Sequence, residues 1–220
     1  MTKVIDWKYH LIELVIVIIG ISIAFWLNNL AGAEKEKQLE KQYLSDIRSE
    51  LIKDTTQLAY NIRFNEIKVQ DLKITLGIML NDESYRYTDS LSRLVPRIGN
   101  YDFFSSESFT LTSILQSGDI KIIRSVEIKK ELQRLLRIYG LIDQSQKNLL
   151  KALDENYFPL LLSEVDMLTQ KPVREDFYYS LPIRNYCVYT INDTNNHINE
   201  YKLGVRQIQK LLSLIDEELD

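Results

Sequence analysis

From Leu11 to Leu30 the chain reads LIELVIVIIGISIAFWLNNL, and no other stretch limits its possible folds as firmly. As a helix rising 1.5 Å per residue, this run spans about 30 Å, the thickness of a bilayer's hydrocarbon core. Its flanks fit a transmembrane anchor. Glu13 lies one turn inside the N-terminal edge, where a carboxylate still reaches headgroup water, and Trp26 suits the opposite interface. Asn28 and Asn29 mark the exit. The chain therefore divides into a tail at 1–10, an anchor at 11–30 and a body at 34–220. A cleaved signal peptide is the competing reading, since Ala31-Gly32-Ala33 has the small-x-small form of a peptidase site and Lys3 and Lys8 could be its basic start. Asp6, Glu13 and the length of the apolar run count against cleavage.

The body is expected to be all-α. Only 7 Gly and 4 Pro occur in 220 residues, whereas a sheet protein needs a turn every eight to twelve residues, usually built on those types. Charged residues make up 26% and hydrophobic ones 45%, a balance that supports a packed core. Apolar residues recur at alternating three- and four-residue steps through Leu44, Ile47, Leu51, Leu58, Ile62, Val69, Leu72, Leu76 and Met79, with Thr55 and Asn65 in the stripe. This helix should end at Asn81-Asp82-Glu83-Ser84 and continue the anchor, with at most a kink at Gly32.

A second stripe runs through Ile128, Leu132, Leu135, Tyr139, Ile142, Gln146, Leu149 and Leu153, with Ser125 as N-cap and Pro159 disturbing its far end. A third begins near Pro182 and runs through Cys187, Ile191, Thr194, Ile198, Tyr201, Val205, Ile208, Leu212, Ile215 and Leu219. Shorter helices are expected at 88–95 and 107–116, the latter closed by Gly118. Three long amphipathic helices cannot leave their apolar seams in water, so the expected architecture is an elongated antiparallel bundle, a coiled-coil-like up-down-up trace. Asn65, Gln146 and Thr194 interrupt the seams, as register-setting polar residues do.

Motifs for catalysis are missing: there is no Gly-rich phosphate loop, no two-histidine metalloprotease helix and no nucleophile elbow. Asp193, His197 and Glu200 share a helical face, which is expected to be a solvated polar face opposite the Ile191 and Ile198 seam; the alternative is a metal-ligand set, which would make a hydrolase. Cys187 reads as a small core residue, and as the single cysteine it excludes an internal disulfide. No cofactor is expected. A net charge of −4 with interspersed signs leaves no basic face for nucleic acid.

Aromatics gather in two connections. Tyr101, Phe103 and Phe104 lie in the first, which an up-down-up trace places far from the membrane, and they are the candidate protein-binding residues. Phe177 and Tyr178 lie in the second, which the same trace returns to the bilayer, so with Glu13 and Trp26 they are the candidate membrane contacts.

The anchor segment ELVIVIIGISIAFWLNN, followed by YLSDIRSELIKD at 43–54, resembles an uncharacterised family of single-pass helical proteins of Gram-negative bacteria, a domain of unknown function. SFTLTSILQSGDIKIIRSVEIKKELQRLLRIY at 108–139 is similar to the helix, Ser-Gly turn and following helix of the same family. The N-terminal tail is shorter and less basic than its relatives tend to carry, and the C-terminal third has no counterpart. The resemblance implies a membrane-anchored helical domain and lends no activity. Lys3 and Lys8 on one side of the anchor nearly balance Lys35, Lys37, Lys41 and Arg48 on the other, so basic residues alone do not orient it. A short tail before a large body is the arrangement of an uncleaved anchor in the inner membrane with a periplasmic body.

The expected function is that of a scaffold, accessory subunit or oligomer that acts through membrane lipid and protein contacts, not as an enzyme. A ligand-sensing bundle signalling through a partner is the second reading. A metal-dependent hydrolase is the third.

Overall fold

The computed structural model describes residues 7–81 and 85–220, with the side chains of 7–10 and 12 outside that description. Most of the expected tail and the expected stop at Asp82-Glu83-Ser84 therefore lie outside the described residues. The chain is mostly helical. Helix α1, Trp7–Asn81, runs unbroken for 75 residues, straight through Gly32, so its length is about 110 Å. Short α2, Thr88–Leu94, and a tight turn at Val95–Gly99 follow, then α3, Phe109–Ser117. Gly118 closes α3 at φ 79°, a left-handed conformation that glycine adopts without steric cost.

Helix α4, Val126–Ala152, starts on Ser125, whose side chain accepts a hydrogen bond from the Ile128 N–H at 3.3 Å. It ends in a widened π turn at Leu153–Tyr157, after which α5, Phe158–Glu164, starts with Pro159 in its first turn. Strands β1, Val165–Asp166, and β2, Lys171–Pro172, form a two-residue antiparallel pair. Helix α6, Leu181–Leu219, carries Pro182 in its first turn and runs almost to the terminus.

Helix directions follow from the pairs that cross between helices. On α1 and α6, Arg48 meets Asp216 at 2.6 Å, Glu66 meets Lys202 at 3.3 Å, and the Leu72 carbonyl accepts from the Cys187 thiol at 3.3 Å. These helices run in opposite directions. On α1 and α4, Glu40 meets Arg124 just before α4 begins, and Asp54 accepts from the Tyr139 hydroxyl. Those two helices run in the same direction.

The expected up-down-up trace is corrected here. Residues 100–124 form a strap that travels back along α1 from Lys68, which meets Asn100, to Glu40, which meets Arg124. Helix α4 then climbs again. This route puts the second aromatic connection at the tip, where the Tyr85 and Tyr179 rings lie 4.9 Å apart.

Polar residues at one heptad position of α1 hold the strap. Lys68 donates to the Asn100 carbonyl, and the Asn61 amide donates to the Asp102 carbonyl at 3.0 Å. Asp54 accepts the Glu107 N–H at 2.8 Å, and Glu40 accepts the Arg124 N–H. Along the same side Glu50 accepts both the N–H and the hydroxyl of Thr110, at 2.8 and 2.7 Å.

Buried positions of α1 recur at alternating three- and four-residue steps through Leu44, Ile47, Leu51, Asp54, Leu58, Asn61, Asn65, Lys68, Leu72, Thr75 and Met79, with Val69 also buried beside Lys68. Those of α6 do the same through Cys187, Thr190, Thr194, His197, Tyr201, Gly204, Ile208, Leu211 and Ile215, with Ile198 also buried beside His197. At Asp54, Asn61, Lys68 and Thr75 on α1, and at Thr190, His197, Gly204 and Leu211 on α6, the seam therefore sits one residue before the positions expected from hydropathy. Ile62 and Ile191 flank that seam, partly buried, and Val69 and Ile198 are buried at its edge. At Gly204 the helices come so close that an added Cβ would lie 3.2 Å from Leu58 Cδ1.

The apolar interior forms two clusters. The base cluster contains Leu44, Leu51, Leu58, Leu132, Ile142, Tyr201 and Ile208, and the tip cluster contains Leu72, Met79, Leu91, Leu153, Tyr157, Phe177 and Cys187. Between them lies a polar layer.

Candidate functional site

The polar layer is built by three elements. Helix α1 supplies Asn61, Asn65 and Lys68, α6 supplies Thr190, Asp193, Thr194, His197 and Glu200, and the strap covers them with Asn100 to Phe103. Asn61, Asn65 and Lys68 on α1 and Thr190, Thr194 and His197 on α6 fall where the 3.5-residue repeat of two packed helices demands an inward side chain, and Asp193 and Glu200 stand beside them, partly buried. The layer is therefore a consequence of register.

Lys68 is the most unusual member, at 7% exposure. Burial disfavours its ammonium form and lowers its pKa to about 8, against the attraction of the Asp193 carboxylate. Burial also raises the carboxyl pKa of Asp193, opposed by His197 and Lys68, and that of Glu200, opposed by a hydrogen bond from Ser145. Several buried polar atoms here have no protein hydrogen-bond partner: Asn61 Oδ1, Thr190 Oγ1, Asp193 Oδ2, Thr194 Oγ1, His197 Nε2 and Glu200 Oε2. Such a density of unsatisfied groups marks a place where water or a polar ligand completes the structure.

On the outer side of Lys68, between α1, α2 and the turn that follows it, a cavity of about 270 Å³ opens. Its walls are Phe64, Ile67, Leu72 and Leu94, and at its edge Arg97 pairs with Asp71 at 3.0 Å.

The expected solvated face is also corrected. His197 is 1% exposed, its ring edge-on to Phe103 at 6.4 Å and facing Tyr201 at 6.0 Å. Asp193 Oδ2 stands 3.7 Å from His197 Nε2. Yet among the described residues no group of three or more His, Cys, Asp or Glu side chains is arranged to hold a metal ion. Asp193, His197 and Glu200 form an inward polar face and not a ligand set. Cys187 is a core residue, its thiol pushed up to about 11 by burial.

The partner candidates separate. Tyr101 is 42% exposed and stacks on Phe103 with ring centroids 4.5 Å apart, and Phe103 packs partly into the tip cluster. Phe104 is withdrawn from that role, because it is buried at 5% exposure against Tyr139 and Tyr201. Of the membrane candidates, Glu13 and Trp26 stand exposed on the apolar part of α1. Phe177 and Tyr178 do not fit that role: they are buried in the tip cluster, at the opposite end of the body. The physical reason is the strap, which consumes the length of α1 before α4 begins.

Comparison with protein-family models, with curated proteins and with solved structures found no match. The resemblance of the anchor and of residues 108–139 to a known family accordingly rests on those residues alone.

The sequence reading missed Asp54, Asn61, Lys68 and Thr75, four polar residues at seven-residue steps. That spacing was the available signal.

Proposed function

We propose that this chain is a membrane-anchored helical interaction module, with the first part of α1 in a bilayer and the body held beside it to bind a protein partner or a second copy. One observation carries the reading: within one unbroken helix, the segment 13–30 is exposed on every side while the segment beyond it is packed. Phe25 is 66% exposed and Ile16 64%, and no described residue of the body covers either of them. An apolar surface of that extent is not left in water by a folded protein. Lipid is the solvent that suits it, and one helix near the N-terminus is long and apolar enough to cross.

The partner surface is the outward side of α1 and the strap beside it. Tyr60, Ile67 and Ile74 stand exposed at seven-residue steps, and Tyr101 is exposed on the strap. Evenly spaced apolar residues on a free helix face suit another helix. The resemblance noted above points the same way, to a membrane-anchored helical domain, and the short tail before a large body suits an inner-membrane anchor with a periplasmic body.

Two measurements test the proposal. Full-length protein should sediment with membranes and resist carbonate extraction, while a chain lacking 1–33 should be soluble and helical. Recovery of a native soluble species beginning at Glu34 would establish the cleaved-signal reading in its place. Photo-crosslinkers at Ile67 and Tyr101 should yield protein adducts, and an absence of adducts at both positions would remove the interaction surface. Because Cys187 is buried, a cysteine placed at Gln70 reports on which side the body lies through labelling by an impermeant maleimide.

A further inference from the structure

The cavity beside Lys68 has a charge that the fold does not require. Lys68 pins the Asn100 carbonyl, yet one heptad away Asn61 pins the Asp102 carbonyl with a neutral amide. An amide therefore suffices for holding the strap. An ammonium group has three donors, and among the described residues Lys68 makes a single hydrogen bond, to Asn100. Asp193 supplies attraction, but burial raises its pKa and so weakens its hold on a negative charge.

The surroundings are apolar on the walls and cationic at floor and edge. Phe64, Ile67, Leu72 and Leu94 line the space, and the Arg97 guanidinium stands at its mouth with its Asp71 partner. Pockets for small ligands combine such walls with a few placed polar groups. A monoanion with an apolar body matches this arrangement, its carboxylate on Lys68 and its body against the four apolar side chains. A dianion is disfavoured, because Asp71 would repel a second negative group at the mouth.

We propose that the cavity lined by Phe64, Lys68, Leu72, Leu94 and Arg97 is a binding site for a small apolar monocarboxylate, with Lys68 as the residue that recognises the carboxylate. The proposal does not rest on membrane anchoring or on the partner surface. Binding should draw Lys68 toward its ammonium form, so that above its lowered pKa of about 8 each ligand brings a proton with it.

The test uses the full chain in lipid nanodiscs, with empty nanodiscs subtracted, and isothermal titration with benzoate and with benzamide, its uncharged counterpart. Benzoate should bind saturably at one site per chain, and benzamide about tenfold or more weaker. At pH 9, titration in buffers of different ionisation enthalpy should report proton uptake with benzoate. Lys68→Met should lose affinity by about tenfold or more, and Leu94→Trp, which keeps the lysine and fills the space, should do the same with unchanged helical circular dichroism.

No saturable benzoate binding by the wild-type protein would overturn the proposal. So would equal affinity for benzamide, or binding that survives Leu94→Trp in a folded protein. If Lys68→Met fails to fold, Leu94→Trp and the benzamide comparison still decide.

Discussion

The side-chain amide of Gln146 pairs with both backbone groups of Phe104: its Oε1 accepts the Phe104 N–H at 2.8 Å, and its Nε2 donates to the Phe104 carbonyl at 3.0 Å. The Tyr201 hydroxyl donates to the same Oε1 at 2.7 Å. One residue of α4 thus fastens the strap and α6 together, inside the protein, where no water replaces a lost bond.

Gln146→Leu should accordingly lower stability by about 3 kcal/mol, because it strands the Phe104 N–H and carbonyl and the Tyr201 hydroxyl in an apolar setting. The exposed Gln144, one turn-fraction away on the same helix, provides the contrast: Gln144→Leu should change stability by less than about 0.5 kcal/mol. Urea unfolding of both variants measures the difference. Equal, small effects would show that the strap is not held by this amide.

His197→Ala should cost about 2 kcal/mol or more, since it empties space between Phe103 and Tyr201 inside the body. A solvated histidine would give an effect within about 0.5 kcal/mol. Thermal unfolding followed by circular dichroism distinguishes the two.

Glycine positions should respond in opposite directions. Gly140 has open space around its Cβ position on an exposed face of α4, so Gly140→Ala should stabilise by about 0.5–1 kcal/mol through helix propensity. Gly204 faces Leu58 across the tightest approach of α1 and α6, and Gly204→Leu should destabilise by about 1–3 kcal/mol through overpacking. Denaturant midpoints with unchanged slopes would report both.

Acid should weaken one cross-helix clasp. Glu131 is buried and accepts from Gln207 at 2.9 Å, Lys210 at 2.9 Å and Arg134 at 2.6 Å, bonds that lower its carboxyl pKa to about 2 against the effect of burial. Its folded pKa lies below the unfolded value of about 4.3, so the contribution is complete above that value and fades as pH falls toward the folded one. The stability difference between wild type and Glu131→Gln should therefore be larger at pH 7 than at pH 3. A difference that grows on acidification would contradict the assignment.

Much of the helical framework was legible. The caps at Ser125 and Gly118, the first-turn Pro182 and the stripe of α4 from Ile128 to Leu153 all follow from local chemistry, which the sequence carries directly. The seams of α1 and α6 were half legible, because hydropathy prefers Ile62 and Val69 to Asn61 and Lys68, and Ile191 and Ile198 to Thr190 and His197. Burial of polar residues is decided by what meets them, here the backbone of the strap, and that partner is remote in sequence. The direction of α4 was not legible for the same reason. An irregular connection that lies along a helix has no periodicity of its own, so nothing in residues 100–108 announces where it travels. Tyr101 is exposed, whereas the burial of Phe104 depends on its pairing with Gln146.

An unbroken α1 also fixes a compass bearing. Each helical residue turns the chain by about 100°, so between the apolar segment and the first packed residues near Leu39 the azimuth of the body is set by counting alone. Inserting one residue at 34–38 would swing Tyr60, Ile67 and Ile74 about a third of a circle around the helix axis, with the fold of the body untouched. Inserting seven would restore the bearing to within about 20° and raise the body by about 10 Å. Neighbours that meet this protein side by side would sense the first change far more than the second.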